Sequence, residues 1–352
     1  MRQVAVVSFA QSRSVRRETD LNEVEMLMPV VQEAVARSGL QKREIGFTVS
    51  GSSDYLAGGP FSFVGALDAV GAWPPIVESH VEMDGAFALY EAWVKLQTGE
   101  ADSALVYAFG KSSLGDVAEI VTLQLDPYYV APLWPDAVSL AALQARAFLE
   151  ASGKTERDLA AVAVRSRRDA RKNPMAQLSG ERSVEDVLAE PYLVAPLRRH
   201  DCPPISDGAA AIVLAADDVA RRVCRRPAWI GGIDHRMEPH ALGLRDLARS
   251  RSTAEAGERA GVGRAAVDLA ELHAPFTHQE LILRDALRLD DRVPVNPSGG
   301  ALAANPLMVA GLIRIGEAAR RIMDGDAKRA VAHATSGPCL QQNLVCVLEG
   351  GR

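Results

Sequence analysis

A weak internal repeat restricts what this chain can fold into more than any other feature of its sequence. One copy consists of the loop 79–85, an apolar helix, the acidic turn 99–102 and a strand. The second copy consists of the loop 296–300, a further helix, the acidic turn 324–327 and a further strand. Because each copy needs a neighbour to cover its apolar face, the repeat predicts an α/β body of two similar halves related by a pseudo-twofold axis.

The stretch between residues 111 and 199 interrupts this pattern. It carries helical patches separated by six prolines, Pro127, Pro132, Pro135, Pro174, Pro191 and Pro196. A buried strand follows from Asp207 onward, so we interpret the proline-rich stretch as a lid inserted into the first half. The predicted division is 1–115 for the N-terminal half, 116–200 for the lid, 201–226 for the strand and helix that return to the N-terminal half, and 227–352 for the C-terminal half.

Composition excludes several classes of function. The net charge of −6 comes without a basic tail, so we expect no nucleic-acid partner. The chain has no apolar run of about 18 residues and its apolar start is too short for a signal peptide, so we expect no membrane span and a cytoplasmic protein. The four cysteines lack CxxC spacing, which predicts neither a zinc ribbon nor a disulfide framework.

Several sequence blocks, in order along the chain, resemble the thiolase superfamily, and most closely its sterol-carrier-protein-type branch. They are the helix, turn and strand at 85–111, Ser-Asp-Gly-Ala-Ala at 206–210, Glu-Leu-His-Ala-Pro-Phe at 271–276, and Asn-Pro-Ser-Gly-Gly at 296–300 followed by Ala-Asn-Pro at 304–306. The resemblance covers nearly the whole chain. It implies the thiolase fold with αβαβα layers and an inserted loop domain, an acyl-CoA substrate and a homodimer.

Departures from the family pattern fall where thiolases carry out their chemistry. Glu82 occupies the position of the nucleophilic cysteine, and Asn305 replaces the histidine of the Gly-His-Pro block. Gly337 stands at the second cysteine, with Cys339 two residues further on, whereas His273 remains where the sterol-carrier-type branch has its histidine. A carboxylate cannot replace the thiolate that forms the acyl-thioester intermediate of thiolases. An asparagine cannot accept and return a proton as a histidine does, so both departures argue against thiolase chemistry.

A thiolase scaffold without its cysteine resembles the lipid-transfer-protein-type aldolases of bacterial steroid side-chain degradation. That resemblance implies a carbon–carbon lyase, which cleaves a bulky steroid side-chain β-hydroxyacyl-CoA by retro-aldol chemistry to a ketone and a shorter acyl-CoA. It also implies a small OB-fold partner subunit that bears a zinc ribbon. We expect no cofactor beyond the CoA moiety of the substrate, and no metal in this chain.

Retro-aldol cleavage needs a base for the β-hydroxyl proton and donors for the enolate oxygen. We expect His273 to be the base, because the pKa of histidine lies near neutral pH, and Asn305 to be the enolate donor. Glu82 and Asp84 precede a buried helix and are candidates for a second acid or base. Cys339 is a further catalytic candidate.

Four more residues are expected to contact the substrate, namely His80, His333, Gly300 and Gly337. Structural interpretations stay open beside these assignments. The histidines are also typical of a core position, Glu82 of a helix cap, Asn305 of a turn, and Cys339 of a small buried apolar side chain.

Two other functions also stay open. An acyltransferase that forms carbon–carbon bonds would use Cys339 as its nucleophile, and a non-catalytic subunit would only bind acyl-CoA. The basic residues between 165 and 172 lie in the predicted lid, in a region that approaches the CoA phosphates in thiolases. We interpret this basic stretch as a solvated helix face, and contact with the CoA phosphates is the alternative.

Overall fold

The structure, a computed structural model, describes residues 2–351. The strands are β1 (Val4–Gln11), β2 (Phe47–Gly51), β3 (Glu78–Val81), β4 (Ser103–Lys111), β5 (Tyr192–Val194), β6 (Leu197–Arg198), β7 (Asp207–Ala216), β8 (Ala228–Met237), β9 (Leu269–Leu272), β10 (Arg329–Ser336) and β11 (Gln342–Gly350). The α-helices are α1 (Glu23–Ser38), α2 (Asp54–Ala57), α3 (Ser62–Val70), α4 (Gly85–Thr98), α5 (Val117–Leu123), α6 (Ala137–Ser152), α7 (Glu156–Asp169), α8 (Val184–Ala189), α9 (Asp217–Val223), α10 (Arg251–Ala260), α11 (Thr277–Ala286), α12 (Gly300–Ala303) and α13 (Ala310–Asp324).

The main sheet joins two halves that share a four-strand arrangement, and the first half adds a fifth strand, β3. Its strand order is β3-β2-β4-β7-β1-β8-β11-β10-β9. In the first half, β1 and β7 run antiparallel, as do β7 and β4, whereas β4, β2 and β3 are parallel. In the second half, β8, β11 and β10 are antiparallel neighbours and β10 is parallel to β9. The halves meet where β1 pairs with β8, which confirms the prediction of two similar α/β halves.

The chain has five layers because the two halves of this sheet lie on either side of one pair of helices, and further helices cover each half from outside. Side chains of α4 and α13 form one apolar core with residues from both halves, so these two helices make the central layer. Helices α1 and α3 cover the outer face of the first half, and α10 and α11 cover the outer face of the second. Because β4 and β7 have helices on both faces, they are apolar and buried along almost their whole length.

Helix α1 begins two residues later than the local sequence suggests. Asp20 with Glu23 predicts a capping box, yet the structure forms the box with Asn22 and Glu25. The reason lies in the preceding turn, where the Glu18 carboxylate accepts hydrogen bonds from the backbone N–H groups of Asp20 and Leu21.

The segment between β4 and β7 contains α5 to α8 and the short antiparallel pair β5–β6. Part of it packs on the second half, where the N–H of Leu178 donates to the carbonyl of Ala303. The division of the chain into domains stays a prediction. Within residues 2–351, no helix has both the length and the apolar character that crossing a bilayer requires.

Candidate active site

The two helices of the central layer begin side by side. The N–H of Gly85, the first residue of α4, donates to the carbonyl of Met308, just ahead of α13, at 2.8 Å. A Cβ at Gly85 would lie 2.7 Å from that of Ala108 and 2.9 Å from Leu312 Cδ2, so only glycine permits this approach. The contact places the loop that carries Glu82 beside the loop that carries Asn305.

Asp84 ties these two helix starts together. Its carboxylate accepts hydrogen bonds from the N–H groups of Ala86 at 2.9 Å, Gly311 at 2.8 Å and Leu312 at 3.0 Å. Burial raises the pKa of the Asp84 carboxyl, and the three amide donors oppose that shift. The positive ends of two helix dipoles meet at this one side chain. These contacts give Asp84 a structural task and do not support the predicted role in proton transfer.

His273 follows β9 and is buried against Asn305. Its Nε2 lies 3.1 Å from Asn305 Oδ1, and the N–H of Thr335 donates to its Nδ1 at 3.4 Å. Because Nδ1 accepts, Nε2 carries the hydrogen and donates to Asn305. Burial lowers the pKa of His273 to about 4, with Asn305 opposing and Arg314 adding to the shift. A neutral ring with both nitrogens engaged does not favour the predicted role as base.

Asn305 has the contacts expected of a positioned amide donor. Its backbone N–H donates to Ser206 Oγ at 3.0 Å. The backbone of Ser206 also forms an isolated parallel β-bridge with Pro306. With Oδ1 held by His273, the Nδ2 group is the free end of the side chain, and it donates to no other residue in the described part of the chain. The side chain therefore offers two N–H bonds to a developing negative charge.

Glu82 and His80 form a second group, with His80 on β3 and Glu82 in the loop that leads into α4. His80 Nε2 lies 3.3 Å from Glu82 Oε2, and Ser50 Oγ lies 3.0 Å from His80 Nδ1. The Glu82 side chain is 46% exposed and that of His80 is 14% exposed. Glu82 is therefore an accessible carboxylate with an imidazole behind it, which is an arrangement suited to proton transfer.

The C-terminal loop holds Cys339 as a buried thiol. Its Sγ donates to the carbonyl of Leu140 at 3.4 Å and packs among apolar residues of the inserted segment. Burial raises the pKa of Cys339 to about 11, with Arg245 opposing. Since the thiolate is the reactive form, this environment does not favour the predicted nucleophile.

The other predicted contact residues have structural partners. His333 is fully buried, with Nε2 3.0 Å from Asn343 Oδ1, and burial lowers its pKa to about 3. Gly337 and Gly300 both adopt positive φ, at +73° and +64°. Their predicted substrate contacts stay untested. Among residues 2–351, no group of three or more His, Cys, Asp or Glu side chains is arranged to hold a metal ion.

A buried ion pair beneath the site was not anticipated from the sequence. Arg314 of α13 donates to Glu271 at 2.7 Å, and Ser298 Oγ donates to the same carboxylate at 2.7 Å. Glu271 lies two residues before His273, so the pair holds the end of β9 against the central layer. The sequence did carry a signal for this ion pair, because Arg314 and Glu317 are charged residues among the largely apolar residues of one helix.

Part of the basic stretch in the inserted segment is buried rather than solvated. Arg165 forms a salt bridge with the buried Glu280, and the Arg167 guanidinium donates to the carbonyl of Leu302. Burial lowers the pKa of Arg167 to about 10. Arg167 also lines a cavity of about 770 Å³, together with Arg16, Arg182, Arg199 and His200. A solvated face is therefore the wrong interpretation for Arg165 and Arg167.

Two similar halves stacked in five layers, with the site where the two central helices begin, define a thiolase-fold protein. No protein-family model matches the chain. The chain is 30% identical to the acetyl-CoA acetyltransferase of Methanothermobacter thermautotrophicus, over 75% of its length and 76% of that relative. The chain therefore belongs to the thiolase family.

Two further similarities lie in the aldolase branch. The chain is 25% identical to the 17-hydroxy-3-oxo-4-pregnene-20-carboxyl-CoA lyase of Mycobacterium tuberculosis, over 91% of both chains. The solved structure of an Ltp2-ChsH2(DUF35) aldolase superposes with a TM-score of 0.82 over 99% of this chain and 98% of that one, at 20% identity. These similarities confirm the thiolase fold and the predicted resemblance to the lipid-transfer-protein-type branch.

Proposed function

We propose that this protein is a carbon–carbon lyase, which cleaves a bulky β-hydroxyacyl-CoA by retro-aldol chemistry. One observation carries the proposal: this chain of the thiolase family has no accessible thiol at its site. Glu82 stands where the resemblance places the nucleophilic cysteine, and the nearby Cys339 is buried, with its pKa raised to about 11. Acyl transfer through a thioester needs a thiolate, whereas retro-aldol cleavage needs only proton transfer and stabilisation of an enolate.

The reaction balances without a co-reactant. A base takes the proton of the β-hydroxyl group, the C–O bond becomes a carbonyl, and the Cα–Cβ bond breaks. The electron pair of that bond moves onto the thioester as an enolate, and a proton then returns to Cα. The Nδ2 group of Asn305, held by His273 through Oδ1, donates to the enolate oxygen as charge develops there. No cofactor is required for these steps.

The substrate class is a steroid side-chain acyl-CoA. The lyase relative, whose name specifies such a substrate, supports this choice because it aligns over 91% of this chain. The arginine-lined cavity offers cationic groups for the CoA phosphates, and Arg167 and Leu178 on its wall contact the carbonyls of Leu302 and Ala303, shortly before Asn305. Its position next to the Asn305 loop suits a ligand that carries a reactive thioester at one end and phosphates at the other.

Matched substrates test the proposal. The protein with its partner subunit is incubated with 17-hydroxy-3-oxo-4-pregnene-20-carboxyl-CoA or with the analogue that lacks the 17-hydroxyl group, and no free CoA is added. We expect the hydroxylated substrate alone to yield a 17-ketone and a three-carbon acyl-CoA, because the hydroxyl proton starts the cleavage. Equal consumption of both substrates, or of neither, would refute the proposal.

An acyltransferase is the second candidate, and the acetyltransferase relative at 30% identity favours it. Such an enzyme would use Cys339 and would need free CoA as acyl acceptor. The buried thiol argues against it. A non-catalytic acyl-CoA-binding subunit is the third, and in that case His273→Ala would leave the activity of the assembled complex unchanged.

For the assembly, we propose a homodimer that binds a small OB-fold, zinc-ribbon subunit in the cytoplasm. The name of the aldolase structure, which includes a DUF35 component, supports the partner. The homodimer is supported by an exposed surface. Strand β3 lies at an edge of the sheet, and large apolar side chains nearby are exposed, among them Phe61 and Trp73.

All four cysteines are unpaired, in keeping with a reducing compartment. Light scattering with and without the partner tests the stoichiometry.

A further inference from the structure

Three neighbouring strands place a row of polar groups at the edge of the first half. Ser50 on β2 is the register partner of His80 on β3 and of Tyr107 on β4. Ser50 Oγ lies 3.0 Å from His80 Nδ1, and the ring of Phe63 stacks on the imidazole at 4.4 Å with an angle of 10° between the planes. The imidazole is therefore fixed in position by a hydroxyl at one end and an aromatic face.

The outer end of the row is a carboxylate. His80 Nε2 faces Glu82 Oε2 at 3.3 Å, and the other oxygen of Glu82 accepts the N–H of Asp54 at 2.7 Å. Asp54 is the other carboxylate near the imidazole, but its oxygens accept from the N–H groups of Phe61 and Ser62 and from the Ser62 hydroxyl. Glu82 is therefore the carboxylate that is paired with His80 and still 46% exposed.

The inner end of the row is a hydroxyl with spare bonding capacity. Tyr107 is fully buried, and its hydroxyl group has no hydrogen-bond partner among residues 2–351. Burial raises the pKa of Tyr107 to about 12, with the nearby Ser50 opposing. When His80 Nδ1 carries a hydrogen, Ser50 Oγ accepts it, and when Nδ1 carries none, the Ser50 hydroxyl donates to it. Ser50 can therefore pair with either tautomer of the imidazole.

Ser50, His80 and Tyr107 lie on the face of the sheet that α1 and α3 cover, and Glu82 connects this row to the site because it lies in the loop that leads into α4. Glu82 lies three residues before Gly85, and Gly85 bonds the carbonyl of Met308, three residues after Asn305. The loops that carry Glu82 and Asn305 therefore lie at the same end of the central layer and come from opposite halves. Such a placement separates the group that takes the hydroxyl proton from the group that holds the enolate.

We propose that Ser50, His80 and Glu82 act as one proton-transfer unit in the retro-aldol reaction, an inference that rests on the proposed function. Glu82 takes the proton of the β-hydroxyl group as the Cα–Cβ bond breaks, and the same proton returns from Glu82 to Cα of the enolate. His80 shares that proton through Nε2 while Glu82 is protonated. Ser50 does not contact the substrate and is a positioning residue, which sets the orientation and tautomer of His80.

Single substitutions in the full chain, assayed with its partner subunit, test the unit. Glu82→Gln and His80→Gln should each lower kcat by about 100-fold or more, the usual size of a general-base contribution. Ser50→Ala should lower kcat by about 10-fold at unchanged KM and enlarge the solvent isotope effect, because proton transfer becomes slower, and Ser50→Thr should restore much of the loss. The matched controls Glu258→Gln and His235→Gln alter exposed residues outside the site and should keep wild-type kinetics.

Retained kcat in Glu82→Gln or His80→Gln would overturn the proposal, as would a loss confined to KM. A second measurement does not depend on activity. In ¹⁵N NMR spectra of labelled histidine, the ring signals of His80 should move in Ser50→Ala and in Glu82→Gln relative to the wild type, because each variant removes a partner of one ring nitrogen. If the wild type cleaves no substrate, the proposed function fails, and unchanged His80 signals in both variants would show that the coupled unit is absent as well.

Discussion

His273 donates its Nε2 hydrogen to Oδ1 of Asn305 across 3.1 Å, while the N–H of Thr335 approaches its Nδ1 at 3.4 Å. In this pair His273 holds the side chain of Asn305 in position, and Asn305 is the residue that donates to the substrate. The carbonyl end of the Asn305 amide is held, so the amide nitrogen keeps both hydrogens for a ligand. The exchange of roles follows from burial, because a ring with a pKa of about 4 is neutral and a weak proton acceptor at neutral pH.

Removal of the Asn305 amide should slow the chemical step. We expect Asn305→Ala to lower kcat by roughly 100- to 1,000-fold with little change in KM, as for loss of one oxyanion-hole donor. Steady-state kinetics with the β-hydroxyacyl-CoA substrate measure this effect. Asn22→Ala is the control, because it removes the cap of α1 far along the chain and should reduce stability without affecting kcat. If Asn305→Ala keeps the wild-type kcat, another group donates to the enolate oxygen and the role given to Asn305 is wrong.

The buried histidines should make the fold sensitive to acid. Burial lowers the pKa of His273 to about 4 and those of His278 and His333 to about 3. Below pH of about 6.5 the unfolded chain binds protons on these rings and the folded chain does not, so the free energy of unfolding falls as pH falls from 6.5 toward the folded values. Each ring contributes about 1.4 kcal/mol per pH unit inside that window.

The variant His333→Gln isolates this effect, since glutamine keeps a donor for Asn343 and does not titrate. Carboxyl groups whose pKa is raised by burial, such as Asp84, act in the opposite direction, so the difference between variant and wild type is the informative quantity. Urea unfolding at pH 7 and pH 5.5 should show a loss that is about 1.4 kcal/mol smaller in the variant. A loss in His333→Gln equal to that of the wild type would show that His333 is protonated in the folded protein.

Cys339 should behave as an inert thiol. Burial raises its pKa to about 11, whereas Cys224 is only half-buried. Mass spectrometry after brief iodoacetamide treatment should therefore find Cys224 labelled first, with Cys339 labelled only on unfolding. Cys339→Ala should keep kcat near the wild-type value, with Cys346→Ala as a buried control. Rapid labelling of Cys339, together with loss of turnover in Cys339→Ala, would revive the acyltransferase candidate.

Asp84 should matter for stability before it matters for chemistry. Asp84→Ala leaves three buried N–H groups at two helix starts without an acceptor, so we expect a loss of about 3 kcal/mol in the free energy of unfolding. Asp84→Asn keeps an oxygen acceptor and should lose less. Asp116→Ala removes the exposed cap of α5 and should cost about 1 kcal/mol. If Asp84→Ala keeps full stability but loses activity, Asp84 acts in proton transfer and the structural role is wrong.

The architecture could be predicted from the sequence because both copies of the repeat use the same local chemistry. Gly99 and Gly325 each end a central helix in the left-handed conformation, and each is followed by a buried strand. The start of α1 could not be decided locally. Asp20 and Asn22 are both good caps with a glutamate three residues later, and the choice depends on how Glu18 folds the preceding turn.

The loops of the site were predictable from the order of the sequence blocks, but the roles within them were not. The contacts that define the roles join distant parts of the chain. Thr335 bonds His273 from 62 residues away, and Asp84 bonds Gly311 from 227 residues away. Ser50 gave no signal, because a serine in a buried strand looks like any other strand residue until the neighbouring strand places His80 against it.

The most direct test is a time course of the wild-type protein and its partner with a tertiary β-hydroxyacyl-CoA and no added CoA, in which both products and the intact protein are measured by mass spectrometry. Acid–base cleavage without a nucleophile predicts ketone and shorter acyl-CoA in equal amounts at every time point and no mass added to the protein. A requirement for free CoA, or an acyl adduct on Cys339 that forms and decays with turnover, would contradict it.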